Sequence, residues 1–327
     1  TRCSRDWSSD VCSSDLSTYI NLLPEILPLL DQAGYDIELD DNRSYQQTFN
    51  FTQVSANTFA QYTWPKGHPK EGEPIELRDY QVEVINRFLE NPQSIQEVAT
   101  GAGKTITTAA LSYSIEQYGR SIVIVPNKSL VTQTEEDYKN VGLDVGVYFG
   151  DRKEWGKKHT ICTWQSLNNL LKLTQSREAE FTIQEFIEDV VCVMVDEVHM
   201  AKADALKTLL TGVFAQVPIR WGLTGTIPKA QYEAQALYVS LGNVIGKLSA
   251  SELQDKGVLA QCHVNIIQLQ DHVEFTNYQS ELKHLLEDKN RLDTIAELVL
   301  KIKDSGNTLI LVEDRKSTRL NSSHGYI

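Results

Sequence analysis

The sequence has few cysteines, no long hydrophobic run and too little positive charge for a basic protein. Its five cysteines are scattered, without a Cys-x-x-Cys pair or a histidine cluster at metal-ligand spacing, so we expect reduced thiols and neither zinc nor disulfides. No apolar run approaches the ~20 residues that cross a bilayer, and no basic stretch leads into a hydrophobic signal core. These absences predict a cytoplasmic protein.

The charge balance also limits what the chain can bind by bulk electrostatics. It has 31 Lys and Arg against 44 Asp and Glu, a net charge of −13. A basic nucleic-acid-binding domain is therefore excluded, and any contact with nucleic acid must be local. With 327 residues, 41% of them hydrophobic, the chain is long enough for two folded cores.

The two ends are predicted to be non-native. Residues 314–324 read DRKSTRLNSSH, and a DNA sequence that encodes them has a reverse complement that translates as DWSSDVCSSD, the peptide at 6–15. One adaptor-like DNA sequence thus explains both termini, and we set residues 1–16 and 314–327 aside from fold reasoning. The remainder is expected to begin and end inside a longer gene.

The middle of the chain predicts an α/β fold with a doubly wound parallel sheet. Unbroken apolar runs such as 122–125 and 190–195 are typical of strands covered on both faces, and they alternate with helical segments. Residues 17–74 are interpreted as a partial accessory α/β domain with a polar linker, and 75–250 as the main domain. Residues 251–313 are expected to open a second α/β domain, with a helix at 289–303 and a strand at 308–312.

The predicted elements of the main domain follow from periodicity and turn residues. Helices are expected at 80–89, 104–117, 129–140, 165–173 and 203–210, and strands at 94–99, 121–125, 144–149, 160–163, 190–196 and 219–224.

A phosphate-binding loop follows the first of these strands. Thr100-Gly101-Ala102-Gly103-Lys104-Thr105 lies between a buried strand and a helix, the context that such a loop requires. Glycines allow the backbone N–H groups to surround a triphosphate, while the lysine reaches its β and γ phosphates. The sequence therefore predicts a bound nucleoside triphosphate, with Thr105 as a ligand of Mg²⁺.

Two acidic residues follow a second buried strand. Asp196-Glu197-Val198-His199 places both carboxylates at the carboxyl edge of a parallel sheet, where such folds bind ligands. We expect Asp196 to hold Mg²⁺ through water and Glu197 to orient and deprotonate the water that attacks the γ phosphate. His199 is interpreted as linking this site to a later motif, because no second metal ligand lies near it in sequence.

Together these motifs resemble the superfamily 2 helicases, which are DNA and RNA translocases built on two RecA-like domains. The segment around Arg78 and Gln81 resembles the element that reads adenine, with Gln81 as the expected base contact. Thr224, Gly225 and Thr226 resemble the motif that couples ATP state to domain movement. Segments that resemble the two nucleic-acid-binding motifs contribute the expected contacts Pro126, Lys128, Ser129, Gln133, Thr163, Trp164 and Gln165.

Within the superfamily, the order of features is similar to that of the UvsW-type phage recombination helicases. The resemblance implies a motor on branched, forked or duplex DNA, in the host cytoplasm if the gene belongs to a phage. The arginine-bearing motifs V and VI are expected beyond Glu313, so we expect this chain alone to hydrolyse ATP poorly. The oligomeric state is not predicted.

The same motifs also occur in proteins with other functions. A restriction-endonuclease motor carries a similar core but would need a nuclease domain, and an RNA helicase is possible although the box reads DEVH and not DEAD. A nucleotide-dependent clamp or scaffold would have no chemical need for both Lys104 and Glu197. The basic segment 151–159, with Trp155, is a further candidate for nucleic-acid contact, against the simpler reading of a solvated loop.

Overall fold

The structure is a computed structural model that describes residues 18–41, 43, 48–200, 207–261, 264–268, 273–302 and 306, with the backbone of 2–4 and 14–15. It divides the chain into two units, Thr1–Gln261 and Cys262–Ile327. Within the described residues, no helix is long and apolar enough to cross a membrane.

The strands occur in two sheets of the first unit. In chain order they are β1 (Arg2–Ser4), β2 (Ser14–Asp15), β3 (Asp36–Glu38), β4 (Gln93–Val98), β5 (Arg120–Val125), β6 (Val145–Phe149), β7 (Arg152–Lys153), β8 (His159–Thr163), β9 (Val190–Asp196), β10 (Ile219–Thr224) and β11 (Asn243–Leu248). The large sheet has the order β11-β4-β10-β9-β5-β8-β6-β7, and all its described pairs are parallel except β6 with β7. The small sheet has the antiparallel order β2-β1-β3.

Helices occur in both units of the chain. They are α1 (Leu23–Gln32), α2 (Asp79–Glu90), α3 (Lys104–Ile115), α4 (Lys128–Asn140), α5 (Trp164–Ser176), α6 (Ile183–Phe186), α7 (Gln231–Leu241), α8 (Ala250–Asp255), α9 (Tyr278–Glu287) and α10 (Lys289–Ile302). The described short turns are 3₁₀ segments at Ile20–Leu22, Ala56–Phe59 and Val198–Met200 and a π-helical turn at Leu209–Val213.

Alternate residues of each central strand point into different cores. In β9, Cys192 and Met194 lie in a cluster with α2, α3 and α4, whereas Val193 and Val195 lie in a second cluster with α5, α6 and α7. A strand buried on both faces must be apolar at every position, which is why these runs are unbroken. The prediction of a doubly wound parallel sheet is confirmed, and Cys162 and Cys192 are buried core residues as predicted.

The segment predicted as a polar linker is packed against the main domain over residues 48–75. We call residues 48–75 the arm. Phe59 is completely buried, and Phe51 and Tyr62 pack against the core that contains α2 and α3. The linker interpretation is therefore wrong for these residues. The aromatic side chains in this otherwise polar segment supply enough apolar surface to hold the arm on the domain.

Residues 18–41 contain a helix and a short strand. The α1 segment is followed by a turn at Gly34, where φ is +75°, and then by β3. Asn21 donates from Nδ2 to the carbonyl of Val239 at 3.2 Å, which fixes the start of this region against α7. Strands β1 and β2 lie in the stretch that we set aside as non-native.

The first unit extends past the expected boundary at residue 250. Leu253 of α8 is completely buried in the main core, and Lys256 pairs with Asp79 at 2.9 Å. Strand β11 and helices α7 and α8 were not predicted individually. Of the predicted helix 203–210, residues 203–206 lie outside the described part, as does the predicted strand 308–312.

The second unit is described mainly through α9 and α10. Helix α10 matches the prediction of a helix at 289–303, of which residue 303 lies outside the described part. Asn277 caps α9 by accepting a hydrogen bond from the backbone N–H of Ser280 at 2.9 Å.

Candidate ATP site

The predicted phosphate loop joins β4 to α3. Its two glycines have positive φ angles, +86° at Gly101 and +81° at Gly103, a conformation that side chains disfavour. A Cβ atom on Gly103 would lie 2.5 Å from Nε2 of Gln81. The loop therefore needs glycine at residue 103 both for its backbone turn and for its contact with α2.

Residues before and within the first turn of α2 hold the loop from outside. Gln81 donates from Nε2 to the carbonyl of Ala102 at 2.9 Å, and its Oε1 accepts from the backbone N–H of Arg78 at 2.9 Å. Tyr80 donates to the same carbonyl at 3.2 Å, and Arg78 donates to the Tyr80 hydroxyl at 2.9 Å. Gln81, expected to read adenine, is buried here and positions the loop.

The acidic box lies on the same edge of the sheet, two strands away from the loop. Lys104 is 8% exposed and forms an ion pair with Oε1 of Glu197. Asp196 accepts the backbone N–H of Glu197 at 2.9 Å. Glu197 has a φ of +51°, a costly conformation for a residue with a side chain, and such strain is common at functional sites.

The environment of Asp196 disfavours its charge. Desolvation is the main cause that raises the pKa of Asp196 to about 6, and the neighbouring Glu197 adds to this effect. The positive charge of Lys104 acts in the opposite direction. A divalent cation would reverse this balance, because it would compensate a carboxylate that is poorly solvated.

A hydrogen-bonded chain connects the acidic box to the end of β10. Nδ1 of His199 lies 2.7 Å from Oγ1 of Thr224, and that hydroxyl donates to the carbonyl of Thr226 at 2.7 Å. Because the hydroxyl has a single hydrogen, it accepts from His199, whose Nδ1 must carry a proton. The backbone N–H of Gly225 donates to Oε2 of Glu197 at 3.4 Å, so the chain returns to the acidic box.

The neighbouring strands bring Gly225 beside the phosphate loop. A Cβ atom on Gly225 would lie 3.3 Å from Oγ1 of Thr100. The residues predicted for catalysis and for coupling are thus brought together, and Thr105 lies in the first turn of α3 beside Lys104.

Some of the predicted nucleic-acid contacts are exposed in the structure and others are buried. Pro126, Lys128 and Ser129 precede or begin α4, and Thr163, Trp164 and Gln165 begin α5, on the same edge because β5 and β8 are neighbours. Lys128, Ser129 and Gln165 are exposed. Thr163 is a buried helix cap whose Oγ1 accepts from the backbone N–H of Ser166, and Trp164 packs against the second core.

Gln133 lies elsewhere, in the wall of a cavity of about 510 Å³ that also contains Gly101, Gly103 and Thr105. The other lining residues of interest are Trp64 and His68 from the arm and Asp137 from α4. Sequence reasoning missed these three. The only signal was an aromatic residue in a Pro- and Gly-rich stretch, which also describes an ordinary loop.

The basic segment 151–159 has partners for its side chains within the fold. Arg152 pairs with Glu135 at 2.7 Å and Lys153 with Glu180 at 2.7 Å, so their charges are already matched. Trp155 packs against Phe181, with ring centroids 4.5 Å apart. These contacts favour the simpler reading of the segment as a solvated loop, and contact with nucleic acid stays an untested prediction.

Comparison with known proteins agrees with this geometry. Residues 74–229 match the family described as type III restriction enzyme, res subunit. The matched segment contains the phosphate loop and most of the parallel sheet, and the fold is similar to that of a RecA-like helicase domain.

Among the relatives, the chain is 24% identical to the ATP-dependent DNA helicase uvsW of Enterobacteria phage T4 over 309 residues, 88% of this chain and 58% of the relative. It is 28% identical to the DNA 3'-5' translocase XPB2 of Sulfurisphaera tokodaii over 183 residues, 56% of this chain and 38% of the relative. A crystal structure of T4 UvsW is similar with a TM-score of 0.50 at 18% identity, covering 91% of this chain and 59% of that one. The chain thus spans little more than half the length of the phage relative.

Proposed function

We propose that this chain is the ATP-hydrolysing part of a DNA helicase or translocase that remodels branched or duplex DNA. The observation that carries the proposal is the contact between Lys104 and Glu197, beside Asp196 and linked through His199 to Thr224. A phosphate-binding lysine, a carboxylate base and a route to a neighbouring strand are what an ATP-driven motor requires.

The first step follows from the ion pair. The phosphates of ATP offer Lys104 a stronger partner than one carboxylate, so binding transfers the ammonium group from Glu197 to the β and γ phosphates. Glu197 is then available to accept a hydrogen bond from water and to take its proton as the water attacks the γ phosphate. The ion pair therefore keeps the base occupied until nucleotide arrives.

Magnesium fits this donor set. The Thr105 hydroxyl and the Asp196 carboxylate are oxygen donors of the kind that Mg²⁺ prefers, and phosphates commonly supply its other ligands. Thr105 and Asp196 would hold the ion, which would neutralise charge on the phosphates. In the described part of the chain, no cluster of three His, Cys, Asp or Glu residues offers an alternative metal site.

Coupling is assigned to the hydrogen-bonded chain from the acidic box to β10. Any shift of Glu197 when Lys104 leaves it changes the contacts that Glu197 makes with the Gly225 N–H and with His199. Thr224 and Thr226 then transmit the change to the segment that follows β10. The same edge presents Lys128, Ser129 and Gln165, which remain our proposed contacts with a nucleic-acid strand.

The preference for DNA rests on the names of the relatives, two of which are described as acting on DNA. Branched DNA as the substrate is our inference from the resemblance to the phage helicase. A restriction motor and an RNA helicase have no specific observation in this structure that favours them.

The test is ATP hydrolysis by the chain with single-stranded, duplex and forked DNA and with matching RNA. We expect slow turnover that forked DNA stimulates most. Glu197→Gln should abolish turnover and retain ATP binding, whereas a non-hydrolysing scaffold would be unaffected by this change. Turnover that is indifferent to every nucleic acid would reject the motor.

A further inference from the structure

The chain turns sharply after α8, in the last part of the first unit. Gly257 has a φ of +68°, and its backbone N–H donates to the carbonyl of Gln254 at 2.9 Å. The backbone N–H of Val258 donates to the carbonyl of Leu253 at 2.8 Å, which completes the Schellman arrangement of a helix that ends at glycine. We call residues 256–260 the α8 turn. Because Leu253 is completely buried in the main core, the α8 turn is held in a defined position.

Leu259 of the α8 turn contacts the phosphate loop. A Cβ atom on Gly101 would lie 2.7 Å from Cδ2 of Leu259, and apart from the chain neighbours of Gly101 no other described residue comes within 4 Å of that position. Leu259 is half-buried and packs against the main core. A methyl group of the leucine therefore fills the space that glycine leaves at residue 101.

Two further contacts join this region to the surroundings of the loop. The backbone N–H of Ala99, immediately before the loop, donates to the carbonyl of Leu248 at the end of β11, at 2.9 Å. Lys256 pairs with Asp79 at 2.9 Å, at the start of the helix that holds the loop through Gln81. The ion pair is exposed and contributes little by itself, so Leu259 is the contact on which the arrangement depends.

The phosphate loop needs support from outside because of its two glycines. Glycine loses more conformational freedom on folding than any other residue, and both glycines have φ angles that side chains disfavour. The space beside Gly103 is occupied by Gln81, and the space beside Gly101 by Leu259. Backbone N–H groups bind phosphate only when they point in fixed directions, so a loop that lost either neighbour would bind a triphosphate more weakly.

We propose that Leu259 is a positioning residue for triphosphate binding, which holds Gly101 in the conformation that the phosphates require. This inference rests on the proposed function, because it takes the triphosphate to lie in the loop at Gly101–Thr105. By linkage, phosphates that need the α8 turn must also stabilise it. The α8 turn ends one residue before Gln261, the last residue of the first unit, so bound nucleotide restrains the residues that lead into the second unit.

Calorimetric titration of the chain with the magnesium forms of ATP and inorganic tripolyphosphate tests the proposal. Leu259→Ala should weaken both ligands alike, by about five-fold or more, because the loop has lost its support. Leu259→Met keeps most of the apolar volume and should retain most of the affinity. Val191→Ala is the matched control, since Val191 is also half-buried against the main core but lies at the start of β9, at the opposite edge of the sheet. It should leave both affinities unchanged.

Hydrogen exchange at the N–H groups of Val258 and Leu259, followed by mass spectrometry, gives a readout that loss of packing alone would not produce. Saturating tripolyphosphate should slow exchange of these groups in the wild type and not in Leu259→Ala. Exchange that the ligand leaves unchanged in the wild type, or slows equally in both proteins, overturns the inference.

Equal or tighter binding in Leu259→Ala also overturns the inference, because tighter binding would mean that the leucine obstructs the loop. Lys104→Ala separates the inference from the proposed function, since that variant should lose tripolyphosphate binding. If Lys104→Ala binds tripolyphosphate normally, the proposed triphosphate site itself is wrong. If it loses binding while Leu259→Ala keeps full affinity, only the role of Leu259 is rejected.

Discussion

Replacement of Phe59 by alanine tests whether the arm is part of the domain. The side chain is completely buried and contacts the rings of Tyr62 and Tyr113, with centroids 6.4 Å and 5.8 Å away. Loss of a buried phenylalanine costs about 3–5 kcal/mol, from the lost transfer energy and the cavity left behind. We take about 3 kcal/mol, because the site lies near the surface and the arm can partly collapse.

The assay is urea denaturation followed by tryptophan fluorescence. All five tryptophans precede residue 222, so the signal reports the first unit. Gln61→Ala, at an exposed position in the same arm, is the control and should change the free energy of unfolding by less than about 0.5 kcal/mol. If Phe59→Ala lowers the free energy of unfolding no more than Gln61→Ala does, the arm is not packed as described and these residues are a linker.

Three further predictions concern the ATP site, its coupling and a buried ion pair. Gly103→Ala should weaken ATP binding at least ten-fold in titration calorimetry, because its Cβ would meet Gln81 where φ is +81°; normal affinity would contradict the described loop. Thr224→Val removes the acceptor for His199, so ATP should still bind while stimulation of hydrolysis by DNA is lost; equal stimulation would remove Thr224 from the coupling route. Hydrogen bonding to Arg152 lowers the pKa of Glu135 to about 2 from an ordinary value of 4.5. Folding therefore favours the charged form of Glu135. This form contributes about 1–2 kcal/mol to the free energy of unfolding, after allowance for solvent screening; the contribution is complete above pH 4.5 and is lost as pH falls towards 2. Urea midpoints between pH 3 and 6 should therefore fall less steeply for Glu135→Gln than for the wild type, and parallel curves would contradict the ion pair.

The strands and the ATP motifs were predictable because their signals are local. An apolar run such as β9 reports burial on both faces within seven residues, and the loop and the acidic box are each contiguous. Their meeting at one edge follows from parallel strand direction alone. The prediction of β10 at 219–224 matched the structure at both ends for the same reason.

The parts that were wrong or missed depend on partners distant in sequence. Arg152 looked like a free cation until Glu135 was found beside it, and Trp155 looked like a stacking residue until Phe181 covered it. Nothing in a linear sequence shows that Gln81 also donates to the carbonyl of Ala102, and its role as the base contact stays a prediction. Side-chain pairing across tens of residues leaves no periodic pattern in a single sequence.

The packed arm has a practical consequence for how this protein can be divided. The family match begins at residue 74, but Phe59, Trp64 and His68 lie before that point. A recombinant fragment that starts at residue 74 would expose the apolar surface beneath Phe59 and lack Trp64 and His68, which line the cavity beside the phosphate loop. Such a fragment should aggregate and lose affinity for ATP together, so its inactivity would say nothing about the motor.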